Sequence, residues 1–529
     1  MSQESVLRVI IGGTLIDGTG RPPLKDSAVL IRDRRIAAVR KRDGFLIPDG
    51  SEVIDASGKT VLPGLIDAHT HFLSMGIRRI REVDLANTKS LSEAVAKVRE
   101  RVTQTEPGEW VLGRGWDDSK WTERRFINRD DLDDFSRDNP IMLTRVCGHL
   151  VTLNSRALEI AGITEATEDP PGGEVEKGPD GKPTGILKDA RQLVSSYIPP
   201  ISTETSIEGL SRACDYALSL GCTGIHDAGI GGPEIKVYQK AAESGLLKIR
   251  ANLMWKESLF DTIDELNITN GSRNSIIRLG PAKILMDGSL GARTAALYEP
   301  YEDDESTKGL LMMTMEELEE KVKKIHRKGS QLAIHAIGDY GIEVVINAIE
   351  AALKEAPRRD HRHRIEHCEI LTSTQIERIK QLGIVASVQP NFPGEWSGPG
   401  GLYESRLGSR RLRQNNPFRY LVDEGIPLPF GSDGMPFNPL YGIWSAVNHP
   451  IKHSRIKLEE AVKCYSLESA YASFEEDIKG SVEEGKLADI VILDRDITEM
   501  PSEDIDKSSV YMTIVGGETL YQKEDSSIS

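Results

Sequence analysis

The sequence predicts an α/β chain: a core of alternating helices and buried strands that reads as a βα barrel, beside a small β-domain to which both ends contribute. Three observations predict this. Helix-like segments stop at Gly221, Gly329 and Gly383, and each is followed by a short apolar stretch ending in polar residues: CTGIHDAG (222–229), QLAIHAIGD (331–339) and IVASVQP (384–390). Residues 6–61 alternate short strands with turns, and that texture returns in ADIVILDRD (488–496) and YMTIVGGETLY (511–521). Side chains able to hold a metal ion recur at the ends of the core strands.

The core elements are justified one by one. Ile207, Leu210, Cys214 and Ala217 make the apolar stripe of a helix that stops at Gly221. Thr314-x-x-Glu317 is a capping-box pattern opening a helix whose Leu318, Val322 and Ile325 share a face, and Thr372-x-x-Gln375 opens another lined by Ile376 and Ile379. Helix, glycine, buried strand and polar strand end is the unit of a βα barrel.

Composition narrows the function. The chain has 529 residues, 39% apolar and 28% charged, enough for a sizeable core and two or three domains or one large one. A net charge of −16 argues against nucleic acid and anionic membranes, which attract clustered Lys and Arg. No apolar run approaches the ~18 residues of a membrane span. MSQESVLRVIIGG lacks the basic and apolar regions of a secretion signal. Five cysteines, with no C-x-x-C pair, argue against a disulfide framework or a thiolate zinc site. The expectation is a cytoplasmic protein with a small-molecule substrate.

The chemistry starts at VLPGLIDAHTH (61–71), where His69 and His71 sit at i and i+2 of an extended segment and face one side. His335, His367 and Asp433 end later strands. The gap from His335 to His367 is 32 residues, and from His367 to Asp433 it is 66. One barrel unit takes about 31 residues, so these residues recur at one position of successive units, on the face where such barrels carry their sites. Lys283, in AKILMDGS (282–289), reads two ways. Carboxylated by CO2, it becomes an anion that can bridge two cations; as a plain ammonium it pairs with Asp287 or another barrel carboxylate.

These blocks resemble the metal-dependent amidohydrolase superfamily, in the branch typified by N-substituted formamide deformylase. The carrying segments include LPGLIDAHTH, GRGWDDSKW (113–121), GHLVTLNSRAL (148–158), KILMDGSLGARTAAL (283–297), RIEHCEI (364–370) and GSVEEGKLADIVILD (480–494). The resemblance implies a distorted (β/α)8 TIM barrel with a β-sandwich formed by both termini: sandwich over 1–61 and 476–529, barrel over 62–475. It implies His69, His71, Lys283, His335, His367 and Asp433 as ligands of one or two divalent ions, zinc first, iron or manganese next, with Lys283 carboxylated. A homodimer is the assembly it suggests.

Between His71 and Lys283 lie 212 residues, where three barrel units take about 95, so an insertion is placed at about 90–200. In this branch it resembles a lid, which makes His149, Trp116 and Asp117 candidate substrate contacts; packing is the other reading of Trp116, and a turn position that of His149. His226, ending another strand, is a further candidate for the pocket. The implied reaction is hydrolysis of a non-peptide C–N bond by metal-activated hydroxide, with Asp433 as general base and acid. A deaminase or lactonase on the same site, or a regulatory protein retaining the fold, are the alternatives.

Overall fold

The computed structural model describes residues 6–170, 172–266 and 276–524; the extreme ends of the expected sandwich segments, 1–5 and 525–529, lie outside these. The helix starts form as their sequences dictate. Thr314 accepts from Glu317 N (3.2 Å) while the Glu317 carboxylate accepts from Thr314 N (2.8 Å), which opens the helix Met315–Arg327. Thr372 and Gln375 do the same for Ser373–Leu382, which ends on Gly383 in the left-handed conformation, φ 68°.

The strands that follow assemble into a parallel sheet of seven: β1 (Leu65–Thr70), β2 (Cys222–Ile230), β3 (Arg250–Lys256), β4 (Ile277–Leu285), β5 (Leu332–Ala336), β6 (Arg364–His367) and β7 (Val385–Ser387), each bonded to the next. An extended segment, 427–433, takes the eighth place. On one side Ala386 N and Val388 N donate to the carbonyls of Pro427 and Pro429; on the other Ala68 N donates to Phe430 O and Asp433 N to His69 O. The ring is closed, and it is distorted, because the register slips between β1 and β2, β2 and β3, and β3 and β4. Closure is tight at Gly431, where a Cβ would sit 2.4 Å from His69 N.

Both ends of the chain build two further sheets. One contains Arg35–Lys41, Ser27–Arg32, Leu7–Ile11 and Glu52–Asp55; the other contains Thr14–Leu15, Thr60–Pro63, Ile490–Leu493, Val510–Val515 and Glu518–Gln522. Their inward side chains, among them Ile10, Val29, Val61, Ile490 and Ile514, share one buried core. The chain passes from this sandwich into β1 through Gly64, where a Cβ would lie 2.2 Å from Thr223 Oγ1. Arg250, at the start of β3, forms a buried two-pronged pair with Asp489 (2.7 and 3.0 Å) ahead of Ile490–Leu493, and Gly516 N also donates to Asp489.

These parts belong to one compact unit, residues 1–73 and 210–529; a second unit spans Ser74–Gly209, and the expected insertion falls inside it. The second unit has its own six-stranded sheet, in the order Glu174–Lys177, Pro183–Lys188, Leu150–Leu153, Ile141–Arg145, Val111–Trp116, Glu82–Asp84. Neighbouring residues feed opposite faces: Val111 and Leu143 join one core, Leu112 and Met142 another. Among the described residues no helix is long and apolar enough to cross a membrane.

Burial alone would raise the carboxyl of Asp489, yet Arg250's charge and hydrogen bonds, with Gly516 N, outweigh it and hold the group below its ordinary value. The pair's contribution is therefore complete above the ordinary carboxylate range and is lost as pH falls through the lowered value. Asp489→Asn leaves Arg250 buried without its counter-charge, so we expect a loss of about 3–5 kcal/mol at pH 7 and a flatter dependence of stability on acid, read by denaturant unfolding between pH 3 and 7.

Candidate metal centre

Parallel strands put all their C-terminal ends on one side, and the alternation of each strand decides which side chains enter the barrel. His69 on β1, Lys283 on β4, His335 on β5 and His367 on β6 converge there, with His71 just past β1 and Asp433 on the closing segment. The rings of His69, His367 and His335 form a run, with centroids 4.8 and 4.3 Å apart. The ligand-capable atoms of His69, His71 and Asp433 all lie within 4.8 Å of one another. His367 and Asp433 are non-glycine residues at φ 72° and 54°. Such backbone conformations cost free energy and persist where packing imposes them.

Three of the four imidazoles, those of His69, His71 and His335, are oriented by hydrogen bonds. His69 Nδ1 is 2.5 Å from Glu366 Oε2, which leaves Nε2 turned to the centre, 3.4 Å from Lys283 Nζ. His71 Nδ1 meets the Ala228 carbonyl at 3.1 Å, leaving Nε2 3.3 Å from Asp433 Oδ1. His335 Nε2 donates to Gly288 O at 2.9 Å. His367 Nδ1 is buried and has no hydrogen-bond partner among the described residues.

Burial, with the charge of Lys283 adding to it, pushes His69 and His335 down to about 4. Burial and the neighbouring rings hold His367 well below its ordinary value. These rings are neutral at pH 7, with lone pairs available. Burial favours the neutral form of Asp433, but the His71 hydrogen bond and the positive charges of His71 and Lys283 outweigh it, so the carboxyl lies below its ordinary value and is anionic. Neutral imidazoles around an anionic carboxylate, one ring nitrogen being buried and unserved, are a donor set that fits a divalent cation.

Lys283 is 4% exposed. Burial pushes its amine down to about 8, against the carboxylates of Glu366 and Asp433. The alternative pairing with Asp287 does not form. Asp287 accepts from the backbone amides of Ala296, Ile337 and Gly338 (2.9–3.0 Å), and no described carboxylate pairs with Lys283.

The residues behind the histidines are absent from the sequence expectation. Glu366 is held by Arg364, whose Nε donates to Oε1 (2.7 Å) and Nη2 to Oε2 (2.9 Å); Arg364 also reaches Ala68 O, Ser387 Oγ and His226 Nδ1 at 2.8–2.9 Å. Asp67 accepts from His69 N and Ser432 N, tying β1 to the closing segment. Asp227 accepts from Phe72 N and Leu73 N and fixes the turn after His71. The signal was there in RIEH, where Arg364 and Glu366 share a strand face, and in IDAHTH, where Asp67 lies two residues before His69.

The remaining expected site residues have other settings. His226 is 1% exposed and its Nδ1 lies 2.9 Å from Arg364 Nη1. In the second unit Trp116 is fully buried, stacks on Trp121 at 5.6 Å and donates to Leu143 O. This burial and stacking are the setting that the packing reading of Trp116 describes. Asp117 caps a short turn through Ser119. His149, its side chain 73% exposed, bonds Asp189 at 2.7 Å.

The Amidohydrolase family matches residues 52–521. The putative amidohydrolase YtcJ of Bacillus subtilis is 32% identical, over 92% of this chain and 96% of its own length. The N-substituted formamide deformylase of Arthrobacter pascens is 28% identical, over 94% and 95%. A crystal structure of a metal-dependent hydrolase from Pyrococcus furiosus superposes with a TM-score of 0.74 at 29% identity, covering 93% of this chain and 99% of that one.

Glu366→Gln removes the charge that fixes the His69 tautomer. Loss of such a supporting carboxylate lowers metal affinity by about 10–100-fold. Competition with a chromophoric chelator reads this directly, and unchanged affinity would contradict the assigned role of Glu366.

Proposed function

The chain belongs to the amidohydrolase family and is a metal-dependent hydrolase; from that premise we propose that it cleaves a carbon–nitrogen bond of an amide, formamide or cyclic amide outside the peptide backbone. The observation that carries the reading is the anionic Asp433 held beside His71 among neutral imidazoles at the mouth of the barrel. The formamide deformylase that this chain resembles over nearly all its length supports the choice of bond.

His69, His71, His335, His367 and Asp433 would hold the metal, zinc being the ion best matched to imidazole and carboxylate donors. Bound there, a divalent ion supplies Lewis acidity and lowers the proton affinity of water. Asp433 takes a proton from the attacking water and delivers it to the amide nitrogen as the C–N bond breaks, leaving a carboxylic acid and an amine. His71, 3.3 Å from Asp433 Oδ1, keeps the carboxylate in place. Glu366, held by Arg364, accepts the His69 Nδ1 proton and so leaves the lone pair on Nε2. An amine at about 8 is partly unprotonated near neutral pH, the form that adds to CO2, and this supports carboxylation of Lys283.

Asp433→Asn keeps an oxygen donor and loses the proton acceptor. The expected result is substantial retention of metal with turnover lower by about 10²–10⁴-fold, measured on a panel of formamides, N-substituted amides and cyclic amides. Near-normal turnover would sink the role of Asp433, and a wild-type protein inert to the whole panel would sink the C–N reading. Dialysis against a chelator should abolish turnover, and zinc with bicarbonate should restore it.

A further inference from the structure

A cavity of about 460 Å3 lies away from the histidines, with most of its lining at the opposite, N-terminal ends of the strands: Arg278 at the start of β4, Gly329–Gln331 entering β5, and Arg358 and Asp360 ahead of β6, beside Phe474. Its charges are unbalanced. Arg358 is half-buried; Nη2 donates to Ser330 O at 3.0 Å, and Nε is buried without an acceptor. Arg278 lies over the Phe474 ring, 5.8 Å from its centroid. Among the described residues neither guanidinium is in an ion pair.

The nearby carboxylates are engaged elsewhere. Asp360 is gripped by Arg362 (2.6 and 3.2 Å), and Glu475 by Lys479 (2.7 Å). Lys328 also lines the cavity and donates to Phe260 O at 3.4 Å. Burial holds the Arg358 guanidinium below its ordinary value, with Asp360 as the opposing charge. Arg358 and Arg278 both line the cavity without an ion-pair partner among the described residues, and the planar fork of a guanidinium matches an oxyanion. The volume is that of a small-molecule pocket and exceeds what a bare ion fills. In a protein of net charge −16 a basic cavity needs a local reason.

We propose that this cavity binds a small molecule bearing a phosphate or carboxylate group, gripped by Arg358 and Arg278, at a site separate from the hydrolytic centre. The proposal does not depend on which bond that centre cleaves.

The test uses the full-length, metal-loaded protein, with its melting temperature followed during titration with inorganic phosphate and, separately, malonate, against potassium chloride at matched ionic strength. The expected result is a saturable rise with at least one oxyanion and none with chloride; the better of the two identifies the source chemistry. Arg358→Gln and Arg278→Gln should each weaken the apparent affinity by about tenfold or more, the worth of one charge-assisted hydrogen bond. Arg278→Gln also serves if the Arg358 variant fails to fold, since it removes no hydrogen bond to the backbone. No saturable rise in the wild-type protein, or a rise unchanged in both variants, which would put the anion at the metal centre, overturns the proposal.

Discussion

The fold and its site both depend on one buried guanidinium. Arg364 is fully inaccessible and yet charged, so it must be surrounded by acceptors, and the barrel supplies them from four strands: Ala68 O on β1, His226 on β2, Glu366 on its own β6 and Ser387 on β7. Holding Arg364 draws those strands together. It also fixes Glu366, whose carboxyl is kept well below its ordinary value because the charge of Arg364 and the His69 hydrogen bond outweigh burial. Glu366 in turn sets the tautomer of His69. A structural charge at the floor of the barrel is thereby converted into the orientation of a ligand at its mouth.

Closure of the ring delivers the other half of the centre. The segment 427–433 has little regular secondary structure, but its backbone is bonded to β1 and β7 on its two sides, and Asp67 holds Ser432. Asp433 is thus carried to His71 by the geometry of closure. Gly431 is required there because any side chain would collide with the backbone of His69. The positive φ values of His367 and Asp433 fall on two of the residues that converge at the mouth, as expected where a scaffold imposes a conformation that the local chain does not prefer.

Much of this was legible in the sequence, for reasons that can be named. Capping boxes at Thr314 and Thr372 and a left-handed glycine at 383 are local devices, so the elements they bound could be read without tertiary information. The barrel repeat was visible because His335, His367 and Asp433 keep the spacing of successive units. What could not be read was the surroundings of each residue. Trp116 lies in a motif beside acidic residues and looks like a recognition side chain, but whether an indole faces solvent depends on Trp121 and Leu143. His226 reads in the sequence as the end of a strand, as a ligand would, yet it lies inside β2 (Cys222–Ile230), buried as a partner of Arg364.

The sequence by itself determined the α/β class, the barrel repeat, the small β-domain to which both ends contribute and a set of side chains with the chemistry to bind a metal. These follow from periodicity, turn chemistry and spacing along one chain. Tertiary structure decided that Lys283 has no carboxylate partner among the described residues, that Asp287 serves backbone amides, and that Arg364 and Glu366 stand behind His69. Those outcomes depend on distances between residues as many as 297 positions apart and on how far burial shifts each charge, and neither is set until the barrel closes.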